Sequence, residues 1–348
     1  MFAHFFRRVV LGSAALAAVL AGVASPAIAQ DTRIAFQLDW RFEGPAAMFL
    51  LPKAKGYFAA EKLDVTVDAG NGSGNAVNRV ASGTYQMGFA DLAALIEFVG
   101  NNPTAPNKPV AVMMVYDSTP AAVFSLKKAG IKAPADLQGR KMGAPVFDAG
   151  RRAFPIFAKA NKLDTNKIAW TAMDAPLRET MLVKGDVDAI TGFYFTSLLN
   201  LNARGIKDEE VDVLMYPKYG VNLYGNAIIV SEQFLKEKPE AVKAFLRAFT
   251  KGMKDVLADP DGSIKYVKER DALVDETLEK RRMKLAIESV IATPEAKADG
   301  LGAVTPTRLN DMVTQVSAAF ELKNPVKADA IFNSSYLPAK ADRMVFPK

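Results

Sequence analysis

The sequence predicts an α/β fold of two lobes, and three observations lead to this prediction. Short apolar segments of strand length alternate with longer amphipathic segments of helix length through most of the chain. This alternation restarts near residue 118, directly after a strongly apolar strand predicted at 110–116. About 318 residues remain after the leader, which exceeds one ordinary hydrophobic core and indicates two domains.

The first thirty residues have the layout of a bacterial secretory signal peptide, which we assign to residues 1–29. Arg7 and Arg8 precede an apolar run at 9–23, and Ala27-Ile28-Ala29 provides a small-x-small cleavage site. The run is about fifteen residues long, shorter than the ~20 that a membrane span needs. We therefore expect an exported, periplasmic protein, and the Arg7-Arg8 pair leaves both the general and the twin-arginine export routes open.

The composition argues against most enzyme classes. The chain contains no Cys, and its one histidine, His4, lies in the leader. The mature protein therefore lacks the usual general base, the Ser-His-Asp triad, a thiolate nucleophile and the commonest zinc ligand. We predict a protein that is not an enzyme and that requires no cofactor and no metal.

The charge pattern gives little support to nucleic-acid binding. The chain has 44 Lys and Arg against 38 Asp and Glu, a formal net charge of +6. The basic residues are scattered among acidic ones, and the sequence has no basic tract. A mild positive excess is compatible with an anionic ligand but does not require one.

The elements of the first half follow from apolar periodicity and from the glycines that end helices. Apolar runs or alternation predict strands at 34–38, 63–67, 86–89 and 110–116. Apolar residues at helical spacing predict helices at 45–58, 76–81 and 92–99. The first of these helices ends near Gly56 and the second at Gly83, and a Gly- and Asn-rich turn at 71–75 precedes the second.

The second half repeats this rhythm and then becomes mostly helical. Strands are predicted at 122–126, 141–144, 168–172, 189–193, 211–215 and 227–230. Helices are predicted at 134–137, 151–160, 176–183, 197–203 and 239–257. Thr293-Pro294 and Thr305-Pro306 have the form of cap and first-turn pairs that begin two further helices.

A weak internal echo supports two similar lobes. Residues 82–89 and 184–193 both read as the end of a helix, a glycine, and a short strand that runs into Gly-Phe. The alternative is chance, because a helix that ends in glycine before a strand is a common junction.

Together these segments resemble the type II periplasmic binding proteins of ABC importers, over about residues 32–256. Within that class the chain is similar to the branch shared by sulfonate, taurine and nitrate receptors and by thiamine-pyrimidine receptors. The segments that carry the resemblance are Leu38-Asp39-Trp40, Ala54-Lys55-Gly56-Tyr57-Phe58, Gly72-Ser73-Gly74, Ala135-Asp136-Leu137-Gln138-Gly139-Arg140-Lys141-Met142-Gly143 and Gly185-Asp186-Val187-Asp188-Ala189.

The resemblance implies two α/β lobes joined by two hinge strands, with a ligand cleft between the lobes. We expect lobe 1 to comprise 31–117 plus 225–348 and lobe 2 to comprise 118–224. The hinge crossings would lie at 116–120 and 223–226, and the lobes would close on the ligand. The implied partners are a small-molecule ligand and the permease of an ABC importer, and a monomer is expected.

Ligands of open α/β sheets bind beyond the carboxyl ends of the strands, which directs attention to the loops there. In lobe 1, Trp40 could stack on a planar ligand or pack in the core, and glycines near a helix start could bind an anion or only form a turn. Asp91 could contact ligand or only cap the next helix, and Asp39 could cap a helix or fix its loop. The candidates in this lobe are Trp40, Phe42, Glu43, Asn71, Ser73, Gly74 and Asp91.

In lobe 2 the segment 145–152 is the counterpart of the glycine turn. Arg151 or Arg152 could pair with a carboxylate or sulfonate, or could be a solvated helix residue. Asp174 could bind ligand or cap a helix, and Tyr224 could face either the cleft or the core. The candidates in this lobe are Phe147, Asp148, Arg151, Asp174, Phe193, Tyr194 and Tyr224.

These candidates suit a small planar ligand with a polar or anionic group. A thiamine-related pyrimidine would use stacking and an acidic partner such as Glu43, Asp91 or Asp174. An aromatic carboxylate or a sulfonate would use arginine and helix starts instead. Two other roles stay open: a sensor's ligand-presenting partner, and an enzyme like the fungal thiamine-pyrimidine synthases. The enzyme is disfavoured because that resemblance implies a catalytic histidine and a cysteine-rich segment, and the mature chain contains neither histidine nor cysteine.

Overall fold

The computed structural model describes residues 31–346, in which ten strands form two five-stranded sheets. The signal peptide predicted at 1–29 lies outside the described residues. The first sheet contains Thr32–Gln37 (β1), Leu63–Asp68 (β2), Met87–Asp91 (β3), Val110–Met114 (β4) and Asn226–Val230 (β10). The second sheet contains Ala121–Leu126 (β5), Lys141–Ala144 (β6), Ala169–Ala172 (β7), Ala189–Phe193 (β8) and Val211–Met215 (β9).

The two sheets have the same strand order. The first runs β2-β1-β3-β10-β4 and the second β7-β6-β8-β5-β9. In each sheet the strand that directly follows a crossing from the other sheet, β10 or β5, pairs antiparallel with both of its neighbours. The internal echo falls on equivalent strands, since β3 and β8 occupy the same place in this order. Each sheet and the helices packed on it form one lobe. The first lobe contains β1 to β4 and β10, and the second lobe contains β5 to β9.

Fifteen α-helices surround the sheets in the described part of the chain. Those in the first 210 residues are Ala47–Ala54 (α1), Tyr57–Ala60 (α2), Ser73–Ala81 (α3), Leu92–Asn101 (α4), Ala149–Ala160 (α5), Arg178–Lys184 (α6) and Tyr194–Asn202 (α7). The remainder are Glu232–Glu237 (α8), Pro239–Ala258 (α9), Pro260–Arg270 (α10), Glu276–Ala286 (α11), Pro294–Asp299 (α12), Pro306–Ala319 (α13), Ala328–Ile331 (α14) and Lys340–Arg343 (α15).

The α/β fold class is confirmed, and each predicted strand is present with both ends within two residues of the prediction. The long helix predicted at 45–58 is wrong in detail: a 3-10 turn at Gly44–Ala46 leads into α1, and Gly56, at φ +71°, separates α1 from α2. Three helices begin earlier than predicted, α3 at Ser73, α5 at Ala149 and α7 at Tyr194. As a result α7 follows β8 directly, and α3 and α5 begin about five residues after the ends of β2 and β6.

Three apolar cores hold these layers together. One packs α1, α9, α10 and α11 on the first sheet, and another covers the second sheet with α6 and α7. The third runs between the lobes, where α3, α4 and α13 meet α5. Burial of this inter-lobe surface from water favours the closed arrangement of the lobes. None of the helices between residues 31 and 346 is both long and apolar enough to span a bilayer.

The chain crosses between the sheets twice, and the two crossings are hydrogen-bonded to each other. Gly225 N donates to the Tyr116 carbonyl at 2.9 Å, and Thr119 N donates to the Leu223 carbonyl at 3.0 Å. The side chain of Arg308, on α13, donates to the Asp117 carbonyl at 2.7 Å and lies over the Tyr224 ring at 4.0 Å. The crossings therefore form a two-strand connection, and Arg308 of α13 contacts both of its strands.

Candidate functional site

Two neighbouring cavities lie between the lobes, at the carboxyl ends of the strands. Their volumes are about 250 and 360 Å³, including the open mouths, and they share Asp39, Trp40, Phe193 and Thr196. The first is also lined by Gly72, Ser73, Asp148, Ala149 and Arg178. The second is also lined by Leu38, Arg41, Glu43, Pro45, Ala46, Phe49, Phe89, Tyr116 and Phe195.

Trp40 lies between the two cavities, in the loop after β1. The Arg178 guanidinium of the second lobe lies over its ring, with Cζ 4.9 Å from the ring centroid, which is a cation–π contact. The indole N–H is buried and has no hydrogen-bond partner. Trp40 therefore presents an aromatic surface and an unused donor at the centre of the site.

Asp39 is buried beside Trp40 and has no cation against it. Its Oδ2 accepts a hydrogen bond from Asn226 Nδ2 at 2.7 Å, so β10 helps to fix the carboxyl group. Burial raises the pKa of Asp39 to about 7, and the hydrogen bond from Asn226 offsets only part of this shift. This carboxyl group can therefore either accept or donate a hydrogen bond near neutral pH.

Glu43 closes the other end of the same loop. Its Oε2 accepts a hydrogen bond from Thr196 Oγ1 at 3.0 Å and lies 3.5 Å from Arg282 Nη1. Its Oε1 has no hydrogen-bond partner, and Arg41 Nη2 is 3.7 Å from it. One oxygen of the carboxylate is thus fixed by the protein, while the other is available as an acceptor.

The start of α3 meets the start of α5 across the cleft. Gly72, at φ +138°, takes a conformation that favours glycine, and a Cβ there would clash with the Phe147 carbonyl. Gly74 N donates to that same carbonyl at 3.3 Å, so Gly74 and Phe147 join the lobes and line neither cavity. Ser73 lines the first cavity, and its buried hydroxyl has no partner.

Asp148 and Arg178 form a buried group on the second lobe. Asp148 caps α5 by accepting from Arg151 N at 2.8 Å, and its other oxygen is 3.0 Å from Arg178 Nη1. Burial raises the pKa of Asp148, and the Arg178 charge opposes that rise. Arg178 Nε also donates to Glu179 at 2.9 Å, while its Nη2, 2.8 Å from the same oxygen, makes no hydrogen bond.

Aromatic side chains form the wall of the second cavity. Tyr116, from the hinge crossing, meets the edges of Phe193 and Phe195 with ring centroids 6.3 and 5.7 Å apart. Phe49 and Phe89 close the first-lobe side of this wall. Such a surface suits a planar ring, because aromatic pairs favour offset and edge contacts.

Several predicted residues do not line either cavity. Asn71 and Asp174 are exposed at the surface, so neither of them shares the buried site. Asp91 instead caps α4 by accepting from Ala93 N at 2.9 Å, and burial raises its pKa to about 7. Tyr194, the first residue of α7, is partly buried and packs against the second-lobe core.

Three further predicted residues have structural partners elsewhere. Arg151 donates to the Ala144 carbonyl at 2.9 Å and lies over the Trp170 ring, and it lines neither cavity. Phe42 packs at the edge of the first core under Arg270. Tyr224 lies behind the hinge, where its hydroxyl accepts from Thr305 N at 2.9 Å. The structure therefore brings together Trp40, Glu43, Ser73, Asp148 and Phe193 from the predicted set.

Sequence reasoning missed Arg178 and Thr196 and gave Asp39 only a structural role. Arg178 is the first residue of α6, and Thr196 lies in the first turn of α7, so both follow second-lobe strands. The rule about strand ends could have found Arg178, since Asp174 in the same loop was selected by it. Nothing local distinguishes Thr196, because its partner Glu43 is distant in sequence.

Unsatisfied polar atoms are concentrated around these two cavities. Buried polar groups normally have hydrogen-bond partners, so each exception requires a reason. Of the nine buried side-chain atoms without a partner in the described residues, four belong to cavity-lining residues: Trp40 Nε1, Glu43 Oε1, Ser73 Oγ and Arg178 Nη2. A fifth, Asn226 Oδ1, belongs to the partner of Asp39. Because Arg178 Nη2 lies 2.8 Å from the Glu179 carboxylate, the set offers a bound molecule two free donors, Trp40 Nε1 and Ser73 Oγ, and one or two acceptors.

The site is acidic despite the basic composition of the chain. Asp39, Glu43 and Asp148 line the cavities, and the buried cation beside them, Arg178, is paired with Asp148 and Glu179. The second cavity also borders the half-exposed Arg41. Within residues 31–346 no group of three His, Cys, Asp or Glu residues is arranged to hold a metal ion.

Comparisons with known proteins agree with this architecture. The family described as NMT1/THI5 like matches residues 46–263, which is more than half of the chain. A riboflavin-binding protein, RibY, of Chloroflexus aurantiacus is 29% identical over 62% of this chain, and the alignment spans 60% of that relative's length. A formylaminopyrimidine-binding protein of Halalkalibacterium halodurans is 23% identical over 85% of this chain and 88% of its own length.

Solved structures share the fold at low sequence identity. The alkanesulfonate-binding protein SsuA of Xanthomonas axonopodis pv. citri, solved with MOPS bound, superposes with a TM-score of 0.66. It is 13% identical and covers 87% of this chain and 96% of its own. The predicted resemblance to periplasmic binding proteins of the sulfonate and thiamine-pyrimidine branch is confirmed by these matches.

Proposed function

Because the chain belongs to the NMT1/THI5-like family, we propose that it is the solute-binding protein of an ABC importer. In this proposal the protein works in the periplasm as a monomer and delivers its ligand to a permease. The ligand is a neutral or cationic planar nitrogen heterocycle of the aminopyrimidine class, held between the two lobes. The family match, the two-lobed fold and the binding proteins among its relatives support the general role.

The ligand class rests on one observation, the acidic and aromatic character of the inter-lobe cavities. Glu43 Oε1 and the Asp39 carboxyl group can accept hydrogen bonds from an exocyclic amine, and Trp40 Nε1 and Ser73 Oγ can donate to ring nitrogens. Trp40 and Phe193 supply surfaces on which a planar ring can stack. Glu43 Oε1, Trp40 Nε1 and Ser73 Oγ would thereby each gain a partner of the correct polarity.

Charge disfavours an anionic ligand in the same cavities. The Arg178 guanidinium is already paired with two carboxylates, and a sulfonate would also meet the free oxygen of Glu43. Desolvation of an anion next to buried carboxylates is costly because like charges repel strongly where water is excluded.

A ligand panel tests this proposal. The mature protein would be titrated with 4-aminopyrimidine, a formylaminopyrimidine, riboflavin, taurine, an alkanesulfonate and benzoate, with binding followed by melting temperature and tryptophan fluorescence. A ligand at ~100 times its dissociation constant adds about 2.7 kcal/mol to the free energy of unfolding. We expect saturable shifts with the aminopyrimidines. Binding of the sulfonate or benzoate alone would reject the ligand class, and no shift with any compound would favour a sensor or another role.

Variants with matched controls locate the binding site. Glu43→Gln removes a charged acceptor, so we expect aminopyrimidine affinity to fall by about 10- to 100-fold. Asp174→Asn changes an exposed carboxylate that lines neither cavity, and should leave affinity unchanged. Trp170→Phe leaves Trp40 as the single tryptophan reporter, whereas Trp40→Phe should abolish the fluorescence response. Equal effects of Glu43→Gln and Asp174→Asn would exclude this site.

A further inference from the structure

Arg282 lies outside both cavities, yet its guanidinium connects the lobes next to them. The residue is on α11 of the first lobe and is only 1% exposed. Its Nη1 donates to the carbonyls of Phe195 and Thr196, at 2.8 and 2.9 Å, and its Nη2 donates to Asn200 Oδ1 at 2.9 Å. All three acceptors belong to α7 of the second lobe, so one buried cation holds the two lobes together.

The same guanidinium is neutralised from the first lobe. Arg282 Nε donates to Glu279 Oε2 at 2.8 Å, and the other oxygen of Glu43, Oε2, is 3.5 Å from Nη1. Glu279 in turn accepts from Gly44 N, at the end of the loop that carries Glu43. The loop, α11 and α7 therefore share one buried group, which we call the Arg282 network.

This arrangement determines which way the Glu43 carboxylate can point. Arg282 and Thr196 both lie against Oε2, so the carboxylate cannot rotate without losing an ion pair and a hydrogen bond. The fixed orientation leaves Oε1 as the free acceptor. Since Arg282 and Thr196 are on different lobes, this orientation depends on the contact between α11 and α7.

We propose that Arg282 is a positioning residue that determines ligand specificity. It holds Glu43 so that its free oxygen recognises an N–H donor of the ligand, and it does so only when the lobes are closed. This proposal rests on the proposed function, because it assigns a donor-bearing heterocycle to the cleft. Arg282 acts through Glu43 and does not touch the ligand.

A second inter-lobe ion pair provides a matched control. Arg152 of α5 donates through Nε to Glu97 Oε2 of α4 at 2.9 Å, and neither residue lines a cavity. Its side chain is 28% exposed, compared with 1% for Arg282. Arg152→Gln therefore breaks a link between the lobes without affecting Glu43.

The experiment compares two probes that differ by one donor, 4-aminopyrimidine and 4-methylpyrimidine, by calorimetric titration. Wild-type protein should bind the amine more tightly than the methyl compound. Arg282→Gln should lower this ratio of affinities by about tenfold or more, because Glu43 Oε1 would no longer be placed to accept a hydrogen bond from the amine. Arg152→Gln should weaken both probes by a similar factor and keep the preference. In a Glu43→Gln background, Arg282→Gln should not change the preference further.

The outcomes separate this proposal from the one on which it rests. A wild-type protein without preference for the amine would overturn the ligand class and the role of Arg282 together. A wild-type preference that persists in Arg282→Gln would overturn the role of Arg282 alone. If Arg282→Gln does not fold, Arg282→Lys keeps the buried charge but cannot make the same fork of hydrogen bonds, and the same fall in preference is expected.

Discussion

Helices α3 and α5 begin on opposite sides of the cleft, and only one of them is capped by a side chain. At the start of α5, the Asp148 carboxylate accepts from Arg151 N and Thr191 Oγ1 and pairs with Arg178. At the start of α3, Gly72 has no side chain to offer, and the hydroxyl of Ser73 has no partner. The second-lobe helix start thus has both oxygens of its capping carboxylate paired, whereas the first-lobe start keeps an unpaired hydroxyl, which the proposed ligand would use.

The buried carboxyl groups differ in the same way. Asp148 faces the Arg178 guanidinium, which compensates its charge. Asp39 faces only the neutral amide of Asn226, and burial raises its pKa to about 7. The comparison indicates that the buried charges of the second lobe are paired and stabilise the fold. The first lobe instead carries a buried carboxyl group without a cationic partner, which is typical of functional sites.

The largest expected effect is on the second lobe. Asp148→Ala removes the cap of α5 and leaves the Arg178 charge buried with one carboxylate partner fewer, so the free energy of unfolding should fall by about 3–5 kcal/mol. Urea unfolding followed by circular dichroism measures this loss. Asp148→Asn keeps an oxygen at the cap and should lose less. A change below ~1 kcal/mol for Asp148→Ala would contradict the structural role.

Asp39→Asn should produce an intermediate effect that depends on pH. The pKa of Asp39 is higher in the folded than in the unfolded protein. Its favourable contribution to the free energy of unfolding is therefore fully present below pH ~4 and is lost as pH rises through about 7. The variant avoids this loss and should gain roughly 1–3 kcal/mol over wild type between pH 5 and pH 8. Urea unfolding at both pH values measures the gain.

Asp91, whose pKa is also raised to about 7, is retained in both proteins, so its contribution cancels in this comparison. Asp174→Asn serves as the exposed control and should show no pH-dependent difference from wild type. A constant difference between Asp39→Asn and wild type at pH 5 and pH 8 would show that Asp39 is compensated as Asp148 is.

The smallest expected effect is on the first-lobe helix start. Ser73→Ala removes a hydroxyl that makes no hydrogen bond within the protein, so the free energy of unfolding should change by less than ~0.5 kcal/mol. Affinity for 4-aminopyrimidine should nevertheless fall by about three- to tenfold, as expected for the loss of one neutral hydrogen bond. A large loss of stability with unchanged affinity would reverse the comparison between the two helix starts.

The order of strands and helices could be read from the sequence because it depends on local patterns. The apolar segments that became β1 to β10 are continuous in the chain, and the glycines that end helices act within one turn. Trp40, Ser73, Asp148 and Phe193 were found for the same reason, since each lies at the carboxyl end of a strand or within five residues of it. The echo between β3 and β8 indicated two similar lobes, and the structure shows that these strands occupy the same place in the two sheets.

The sequence and the tertiary structure decided different features of this protein. By itself the sequence determined the α/β class, the two sheets and the loops from which a site could be built, because periodicity and turn residues act over short distances. Only the tertiary structure decided which loop residues meet: Glu43 with Thr196 and Arg282, and Arg178 with Trp40. These partners are far apart in sequence, and the polarity of the cleft follows from their pairing in a buried space.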